Sequence, residues 1–283
     1  MKKIQIIADS MLDIPKNIMK AYNIKIAPLR IHFEGGEYRD GVDLSPQLFY
    51  EKLSEAKELP KTSQVSPNTF IQMFNEAIQE GYEVICINGS SRASGTHQSA
   101  IIAKNEIDSP LIDVVDTMGL SMGGGLLVYE AAKMVGAGKE RKEIVETLLA
   151  LRDRVDHIFT VDTLEYLKMG GRLNPMKATI GTILSVKPIL TVTEGLVDSL
   201  DKVRGSKRVM GKMIELAKER GGDFHEQTMV LAHANRPDIL ETFKAKVIAE
   251  LNPKEVLTAE IGGTVGTHAG PGTLAIFYYK KVK

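Results

Sequence analysis

The sequence predicts an α/β fold of two domains, with a mostly parallel sheet flanked by helices in the N-terminal domain and a mixed sheet with helices in the C-terminal domain. The chain has 283 residues, of which 43% are hydrophobic and 25% charged, enough for two cores of ordinary size. Strand-like and helix-like runs alternate through the first half, which is typical of a parallel sheet. In the second half, consecutive strand-like runs around Gly195 indicate an antiparallel hairpin. The predicted domains are residues 1–155 and 156–283.

The first half carries the predicted parallel sheet. Its strands are expected in KIQIIA, IKIAPLRIHF, YEVICIN and PLIDVVD. Helices are expected near Pro15–Ala21, Pro46–Ala56 and Pro67–Gln79, from about Ser94, from about Ser121, and over Lys139–Val155. Ligands of parallel sheets bind where strands end at their carboxyl side, so the loops after these strands are the first candidates for a site.

The second half carries the predicted mixed sheet. Its strands are expected in HIFTV, KPILTVT, GLVDSLDKVR, TMVLAHA, EVLTAEIG and TLAIFYY. Helices are expected around Ser206–Lys218 and Pro237–Leu251. A short polar helix is expected to end in LKMGGRLNP, where the glycine pair and the Asn-Pro are typical of a boundary.

Charge and cysteine content argue against several function classes. The chain has 36 Lys and Arg against 36 Asp and Glu, so no overall field attracts nucleic acid or an anionic membrane. The single cysteine, Cys86, lies in the apolar run EVICIN, which excludes an intramolecular disulfide and suits a reducing compartment. Asp9 interrupts the first apolar run too early for a signal peptide, and residues 261–279 have no continuous apolar face for a membrane span. We therefore expect a cytoplasmic protein.

Several common motifs of enzymes are missing from the sequence. The six histidines and the cysteine have no close metal-ligand spacing, and neither HExxH nor CxxC occurs. There is no P-loop and no GxGxxG after the first strand. We therefore expect no metal site, and the usual nucleotide-binding interpretation loses its best evidence.

The loop NGSSRASGTHQSA follows a predicted strand and opens a helix at Ser94, Gly95 and Thr96. The first turn of a helix has free N–H groups and a partial positive charge, so this loop is a candidate anion site in which the Ser94 hydroxyl donates to a ligand oxygen. The alternative is that Ser94 is only the N-cap of the helix. The sequence leaves both interpretations open.

Two further loops carry hydroxyl groups at candidate positions. In LPKTSQVSPNTF, Ser66 before Pro67 is expected to cap a helix, whereas Thr62 and Ser63 lie further from the helix and are freer to face a ligand. Asp9 and Ser10 follow the first strand and are expected to border the site, without an assigned chemical role.

The stretch IGGTVGTHAGPGTLAIFYY sets His268 among five glycines before a strand. Glycine permits close approach of the backbone to a ligand or to another segment, so this stretch is predicted to be a loop at a binding site. What His268 does there cannot be derived from the stretch alone.

Six motifs in order resemble one family. TSQVSP, SSRASGTHQSA, LKMGGRL, VKPIL, KVRGSKR and IGGTVGTHAGPG, spread over most of the chain, are similar to the DegV family of bacterial fatty-acid-binding proteins. The resemblance implies two α/β domains with one long-chain fatty acid between them, its carboxylate at the loops and its chain in a buried tunnel. The stretch ATIGTILSVKPIL is a candidate lining of that tunnel, or else plain core.

The resemblance also implies roles for individual residues. Thr62, Ser94 and His268 would bind the carboxylate, with Ser63, Gly95 and Thr267 as their neighbours. Arg204 would lie near the head group. Arg172 and Lys207 are further candidates for contacting a phosphorylated head group or a partner protein, against the alternative of ordinary solvated charges.

The family's best understood members are subunits of a two-part fatty acid kinase. The resemblance therefore implies a protein that is not itself an enzyme, needs no cofactor, and presents its fatty acid to a separate ATP-dependent kinase that forms an acyl phosphate. We expect a monomer that contacts the membrane surface transiently and binds no nucleic acid. The alternatives are a stand-alone enzyme with His268 as base or nucleophile, and a lipid transport or regulatory protein whose ligand is never phosphorylated.

The sequence departs from the family pattern at four positions. Arg92 and Ala93 stand where an apolar residue is usual, Gly263 where proline is frequent, and Gly205 where threonine is common. These changes leave the implied carboxylate ligands intact and bear on the shape of the tunnel and the fit to a partner.

Overall fold

The computed structural model describes residues 3–174 and 186–282, which form three sheets and the helices that cover them. The strands are β1 (Lys3–Asp9), β2 (Lys25–Ala27), β3 (Arg30–Phe33), β4 (Gly36–Arg39), β5 (Lys61–Ser63), β6 (Tyr82–Asn88), β7 (Ile112–Asp116), β8 (Val155–Thr160), β9 (Val186–Thr193), β10 (Leu196–Arg204), β11 (Thr228–His233), β12 (Glu255–Glu260) and β13 (Leu274–Tyr279).

Ten α-helices and three short 3-10 helices are found in the described ranges. They are α1 (Lys16–Ala21), α2 (Pro46–Glu55), α3 (Pro67–Gln79), α4 (Thr96–Ile107), α5 (Met122–Gly136), α6 (Arg141–Arg152), α7 (Glu165–Gly170), α8 (Val209–Arg220), α9 (Pro237–Leu251) and α10 (Gly263–Ala269). None of the helices in this part of the chain is long and apolar enough to cross a membrane.

The first sheet is parallel, as predicted, with the strand order β2-β1-β6-β7. Its central strands are continuous apolar runs because helices cover both faces: Ile6 and Ile7 of β1 and Ile85 and Ile87 of β6 are all buried. The loops after β1 and β6 therefore meet at one edge of the sheet.

The run IKIAPLRIHF, predicted as one strand, is two strands in different sheets. The run of strand is interrupted at Pro28, which has no backbone N–H to donate to a neighbouring strand. Before it, β2 pairs with β1; after it, β3 joins β4 and β5 in a small antiparallel sheet. The strands β4 and β5 were not predicted because they are short and polar.

The second large sheet is mixed, as predicted, with the order β10-β9-β8-β13-β11-β12. The hairpin of β9 and β10 turns at Glu194 and Gly195, which both have positive φ angles (49° and 79°), as a tight two-residue hairpin turn requires. The helix predicted over Lys139–Val155 ends at Arg152, because Val155 is already the first residue of β8. The predicted domain boundary thus falls at the start of β8, and the division into two domains remains a prediction.

The helix α5 joins the two large sheets. It packs against β1 on one side and against β8, β11 and β13 on the other. Such a helix must be apolar all round, and its residues from Met122 to Tyr129 are all buried. The largest cluster of buried apolar side chains accordingly includes members of both sheets.

The glycine-rich stretch predicted to be a loop is instead the short helix α10. Two buried carboxylates satisfy its first turn. Asp13 accepts from the backbone N–H of Gly262 (2.8 Å), and Asp40 accepts from those of Gly263 (3.1 Å) and Thr264 (3.2 Å). Acidic groups at a helix start offset its free N–H groups and its dipole, which allows a helix to form in a sequence of low helix propensity.

The glycines of α10 are explained by close packing against α2. A Cβ on Gly266 would lie 2.7 Å from Cε1 of Phe49 and 2.8 Å from the hydroxyl of Tyr50, and a Cβ on Gly263 would overlap Ile31 of β3. The close approach that the sequence predicted is therefore between α10 and its own protein neighbours.

We expect Gly266→Ala to destabilise the protein by about 1–3 kcal/mol, because the added methyl overpacks the contact with Phe49 and Tyr50. The matched control is Gly211→Ala in the exposed face of α8, where a Cβ meets nothing within 4 Å and alanine should stabilise by up to about 1 kcal/mol. Urea unfolding of both variants measures the difference. Equal effects on the two free energies of unfolding would contradict the packing explanation.

Candidate functional site

A cavity of about 350 Å³ lies beside α10, between the loops of the parallel sheet and one face of the mixed sheet. Its polar end is formed by Thr62, Ser63, Gln64, Ser94, Gly95, Arg172 and His268. Its apolar wall is formed by Leu120, Phe159, Leu167, Val192, Val197, Ala275 and Phe277. A largely apolar cavity with a few convergent polar groups is the usual form of a small-molecule site.

Thr62 and His268 are joined directly at the polar end. Oγ1 of Thr62, on β5, and Nε2 of His268, on α10, are 2.9 Å apart, although the residues are 206 positions apart in sequence. The other ring nitrogen, Nδ1, is buried against Gly170 and has no hydrogen-bond partner among the described residues. Burial, and then the charge of Arg172, lower the pKa of His268 to about 4, so its imidazole is neutral at neutral pH.

Ser94 combines the two roles that the sequence left open. Its Oγ accepts from the N–H of Thr96 at the start of α4 (3.3 Å) and lies 3.0 Å from Oγ1 of Thr96, yet Ser94 also lines the cavity. Thr96 Oγ1 also accepts from the N–H of Val65 (3.3 Å). Either hydroxyl can donate in the Ser94–Thr96 pair, and when Thr96 donates, the Ser94 hydroxyl proton is free to point into the cavity.

Gly95 and Ser63 complete this side of the polar end. Gly95 is the N-cap residue of α4, and a Cβ there would overlap the side-chain amide of Gln64. Gln64, which the sequence interpretation missed, donates to Ser99 (3.0 Å), and Ser63 Oγ bonds to the ring of His32 (2.8 Å). The signal for Gln64 was its place next to Thr62 and Ser63 in TSQ.

Arg172 supplies a cation to the polar end. Its Nε donates to the carbonyl of Ala93 (3.0 Å) and Nη1 donates to that of Gly170. No carboxylate within the described ranges lies at ion-pair distance from it, and partial burial lowers its pKa while leaving it charged. The ordinary solvated role considered for Arg172 therefore does not fit its position.

Three predicted residues do not face the cavity. Thr267 is turned into α10, where its hydroxyl donates to the carbonyl of Gly263 (2.8 Å). Arg204 is the last residue of β10 and Lys207 follows it in the chain; both are exposed. Arg204 is seven residues from the cavity residue Val197, or roughly 20 Å along a strand. The structure thus brings Thr62, Ser94 and His268 together but does not bring Arg204 to them.

The carboxylate of Asp9 and the hydroxyl of Ser10 each form hydrogen bonds within the fold. Asp9 is buried, accepts from the N–H of Gly89 (2.9 Å) and from Asn88, and has a pKa raised to about 6 mainly by burial. Ser10 accepts from the N–H of Leu29 (3.0 Å). Ser66 caps α3 by accepting from the N–H of Thr69 (3.2 Å), which confirms its predicted role.

The proposed tunnel segment ATIGTILSVKPIL is only partly described. Its residues 178–185 lie outside the described residues. The remainder belongs to β9, where Ile189 and Leu190 are buried in the core and do not line the cavity. The apolar wall includes residues of β8, β9, β10 and β13, together with Leu120, Leu167 and apolar residues of α10.

Within residues 3–174 and 186–282, no three or more His, Cys, Asp or Glu side chains cluster in a way that could hold a metal ion. Cys86 is buried and unpaired.

The cavity also opens toward the surface beside His268. A groove bordered by Thr62, Arg172 and His268 continues past Tyr166 to Met169, whose side chain is 72% exposed. The groups of the polar end are therefore reached from the apolar wall on one side and from this groove on the other.

The chain is similar to known proteins over nearly its whole length. Residues 3–281 match the family model whose description is "Uncharacterised protein, DegV family". A DegV domain-containing protein of Caldanaerobacter subterraneus subsp. tengcongensis is 39% identical over 281 residues, covering 99% of this chain and 100% of the relative.

Two solved structures are similar over nearly the whole chain. A DegV family protein of Thermus thermophilus, described as fatty acid binding, has a TM-score of 0.90 and 30% identity, covering 99% of this chain and 100% of its own. DegV of Bacillus subtilis, described as a fatty acid binding protein, has a TM-score of 0.88 and 30% identity with the same coverage. The α/β architecture is thus that of both structures.

Proposed function

Because this chain belongs to the DegV family, we propose that it binds one long-chain fatty acid, with the carboxylate at the polar end of the cavity and the acyl chain along the apolar wall. The observation that carries the proposal is the meeting of Thr62, Ser94, Arg172 and His268 in a cavity whose remaining wall is mostly apolar. The fatty acid binding stated for the Thermus and Bacillus proteins supports it.

The hydrogen bonds of the polar end suit a carboxylate. If Nε2–H of His268 donates to Thr62, the Thr62 hydroxyl proton is free to donate to a carboxylate oxygen. If Thr96 donates to Ser94, the Ser94 hydroxyl proton is free to do the same. The guanidinium of Arg172 supplies the compensating charge. A buried carboxylate needs such partners to replace its water, and charge-assisted hydrogen bonds are the strong ones.

The acyl chain would supply most of the affinity. Each methylene moved from water to an apolar wall contributes ~0.8 kcal/mol, so a tail of about fourteen methylenes contributes on the order of 10 kcal/mol before ordering costs. The polar end would then select carboxylic acids among molecules with similar tails.

The groove beside His268 supports the second half of the proposal, presentation of the fatty acid to a kinase. In that reaction a carboxylate oxygen attacks the γ-phosphorus of ATP on a separate protein, ADP leaves, and an acyl phosphate forms. The partner would reach the head group through the groove past Met169. Arg172 would then also face the phosphate, and Lys207 and Arg204 remain proposed contacts of the partner.

The alternative of a stand-alone enzyme has less support. A histidine whose pKa is lowered to about 4 is a weak base at neutral pH.

Native mass spectrometry of the freshly purified protein tests the binding proposal. We expect a mass increase that corresponds to one long-chain fatty acid, identified after extraction. Protein that arrives empty and does not bind added palmitate or oleate would overturn the proposal. Incubation of the loaded protein with a fatty acid kinase and ATP then distinguishes presentation, which yields acyl phosphate, from transport, which does not.

Fatty-acid affinity should increase as the pH falls from neutral toward about 5, which is still above the pKa of about 4 that His268 has in the free protein. The pKa of His268 is about 4 in the free protein, and a bound carboxylate should raise it, so the complex binds more protons than its free components. Proton uptake on binding makes affinity rise as pH falls through the raised pKa of the complex. Titrations across this range in wild type and in His268→Gln measure the effect, and an equal slope in both would exclude His268 as its source.

A further inference from the structure

Ser90 is a fully buried serine in the loop after β6, and it lies behind the cavity lining. Its hydroxyl donates to the carbonyl of Gly195 (2.7 Å) and accepts from the N–H of Arg92 (3.2 Å). Its carbonyl accepts from the N–H groups of Ala93 and Ser94, both at 3.1 Å. Ser90 therefore fixes the conformation of the loop that carries Ser94 and ties this loop to Gly195.

Gly195 is at the tip of the hairpin of β9 and β10, so this contact joins the loop of the parallel sheet to the mixed sheet. The approach is close, because a Cβ on Gly195 would lie 2.2 Å from Oγ of Ser90. Val192 and Val197, on either side of the tip, line the cavity. The contact thus sets the position of this part of the apolar wall relative to the loop of Ser94.

The same hairpin holds the backbone of Arg172. The N–H of Val197, in β10, donates to the carbonyl of Arg172 (3.1 Å). The side chain of Arg172 then reaches the first loop, where its Nε donates to the carbonyl of Ala93 (3.0 Å). Because Ala93 is bonded to Ser90, the hydrogen bonds and the chain between them form a closed ring. Its members are Ser90, Gly195, Val197, Arg172 and Ala93.

This ring holds the cation of the polar end in place. Two backbone carbonyls, those of Ala93 and Gly170, accept from the guanidinium of Arg172, and further N–H groups of the guanidinium remain to donate to a ligand. An arginine side chain has many rotamers, and a ligand that must order it binds more weakly. An arginine that is ordered before the ligand arrives avoids this cost.

We propose that Ser90 is a positioning residue of the fatty-acid site, which acts through Ala93 and through the hairpin tip at Gly195 to hold the guanidinium of Arg172 at the carboxylate. This inference rests on the proposed fatty-acid binding and identifies a residue that sets its preference for a carboxylate. Without the Ser90 hydroxyl, the loop and the hairpin tip lose the bond that joins them. The two ends of the Arg172 side chain are then no longer held in register.

The test compares palmitate with hexadecanol, which has the same tail and no charge. In Ser90→Ala, palmitate affinity should fall about fivefold, the usual effect of one net hydrogen bond, while hexadecanol affinity should change less than about twofold. Affinities are measured by displacement of a fluorescent fatty acid. A residue that merely maintained the cavity would affect both ligands alike.

Thr160→Val is the matched control for Ser90→Ala. The hydroxyl of Thr160 is likewise buried and donates to a backbone carbonyl, that of Pro188 (2.8 Å), but this bond lies within the mixed sheet and outside the ring. The ratio of palmitate to hexadecanol affinity should stay as in the wild type. If this variant lowers the ratio as Ser90→Ala does, the effect belongs to the fold and the inference is overturned.

A double-mutant cycle with Arg172→Ala tests whether Ser90 acts through the arginine. Once the guanidinium is absent, the further change Ser90→Ala should cost little palmitate affinity. Additive losses in the double variant would overturn the inference.

Gly195→Ala breaks the same contact from the hairpin side and keeps the inference testable if Ser90→Ala does not fold. Its control is Gly205→Ala, because both glycines have positive φ angles (79° and 87°), whereas a Cβ at Gly205 meets nothing within 4 Å. Gly195→Ala should lower palmitate affinity more than hexadecanol affinity, and Gly205→Ala should leave their ratio unchanged. Equal effects of the two variants on this ratio would contradict the proposed role of the tip.

The outcomes separate this inference from the proposed function. If folded Ser90→Ala keeps both affinities, or loses both by the same factor, the inference fails while fatty-acid binding stands. If the wild type binds neither palmitate nor the fluorescent fatty acid, the proposed function fails and this inference fails with it.

Discussion

Replacing His268 with phenylalanine is expected to weaken fatty-acid binding by about ten- to hundredfold, the usual range for losing a hydrogen bond that serves a charged group. The ring volume is retained, but Thr62 loses the partner that orients its hydroxyl toward the carboxylate. The loss should be specific to the carboxylate. Binding of the long-chain alcohol with the same tail should change little, because that ligand depends on the apolar wall.

Two controls separate this effect from damage to the fold. His225→Phe alters an exposed histidine in a turn far from the cavity lining and should bind as the wild type does. Thr62→Val should weaken binding by a similar factor, and the double variant of Thr62 and His268 should lose less than the sum of both effects, because the residues act as a pair. Full affinity in a folded His268→Phe protein would exclude His268 from the site.

Replacing Asp40 with alanine is expected to destabilise the protein by about 2–4 kcal/mol, because the first turn of α10 loses its acceptor while remaining buried. The hydroxyl of Thr264 loses its partner as well, 2.6 Å from the carboxylate. Since α10 carries His268, fatty-acid affinity should fall even at temperatures where the variant is folded. Denaturant unfolding and ligand titration measure the two effects.

Asp43→Ala is the matched control for this variant. Asp43 is three residues away, is exposed, and pairs with Arg39 at the surface, so its loss should change the free energy of unfolding little. Asp40→Asn keeps one acceptor oxygen, so its free energy of unfolding should lie between those of Asp40→Ala and Asp43→Ala. If Asp40→Ala and Asp43→Ala have the same free energy of unfolding, the Asp40 carboxylate does not hold α10 in place.

The fold was largely predictable where local patterns and tertiary packing agree. Pro67–Gln79 and Pro237–Leu251 were predicted as the helices α3 and α9 because each starts at a proline and keeps its apolar period to the end. The glycine-rich helix α10 was missed, because its stability depends on Asp13 and Asp40, which are more than 200 residues away in sequence. No local pattern records that contact.

The candidate site was predictable only in part for the same reason. Thr62, Ser94 and His268 were reached through the family resemblance, and the structure brings them to one cavity. Gln64 was missed because a glutamine after two hydroxyl residues has no distinctive local pattern. Arg204 was placed near the head group by its motif, but the direction of β10 takes it to the far end of the strand.

A crystal structure of the protein with a bound long-chain fatty acid is the most direct test of the central claim. The account predicts one carboxylate oxygen within hydrogen-bond distance of Thr62 Oγ1, the other near Ser94 Oγ and Arg172, and an acyl chain that lies against Phe159 and Phe277 of the apolar wall. Density with the carboxylate away from Thr62 and Ser94, or a fatty acid bound outside this cavity, would contradict it.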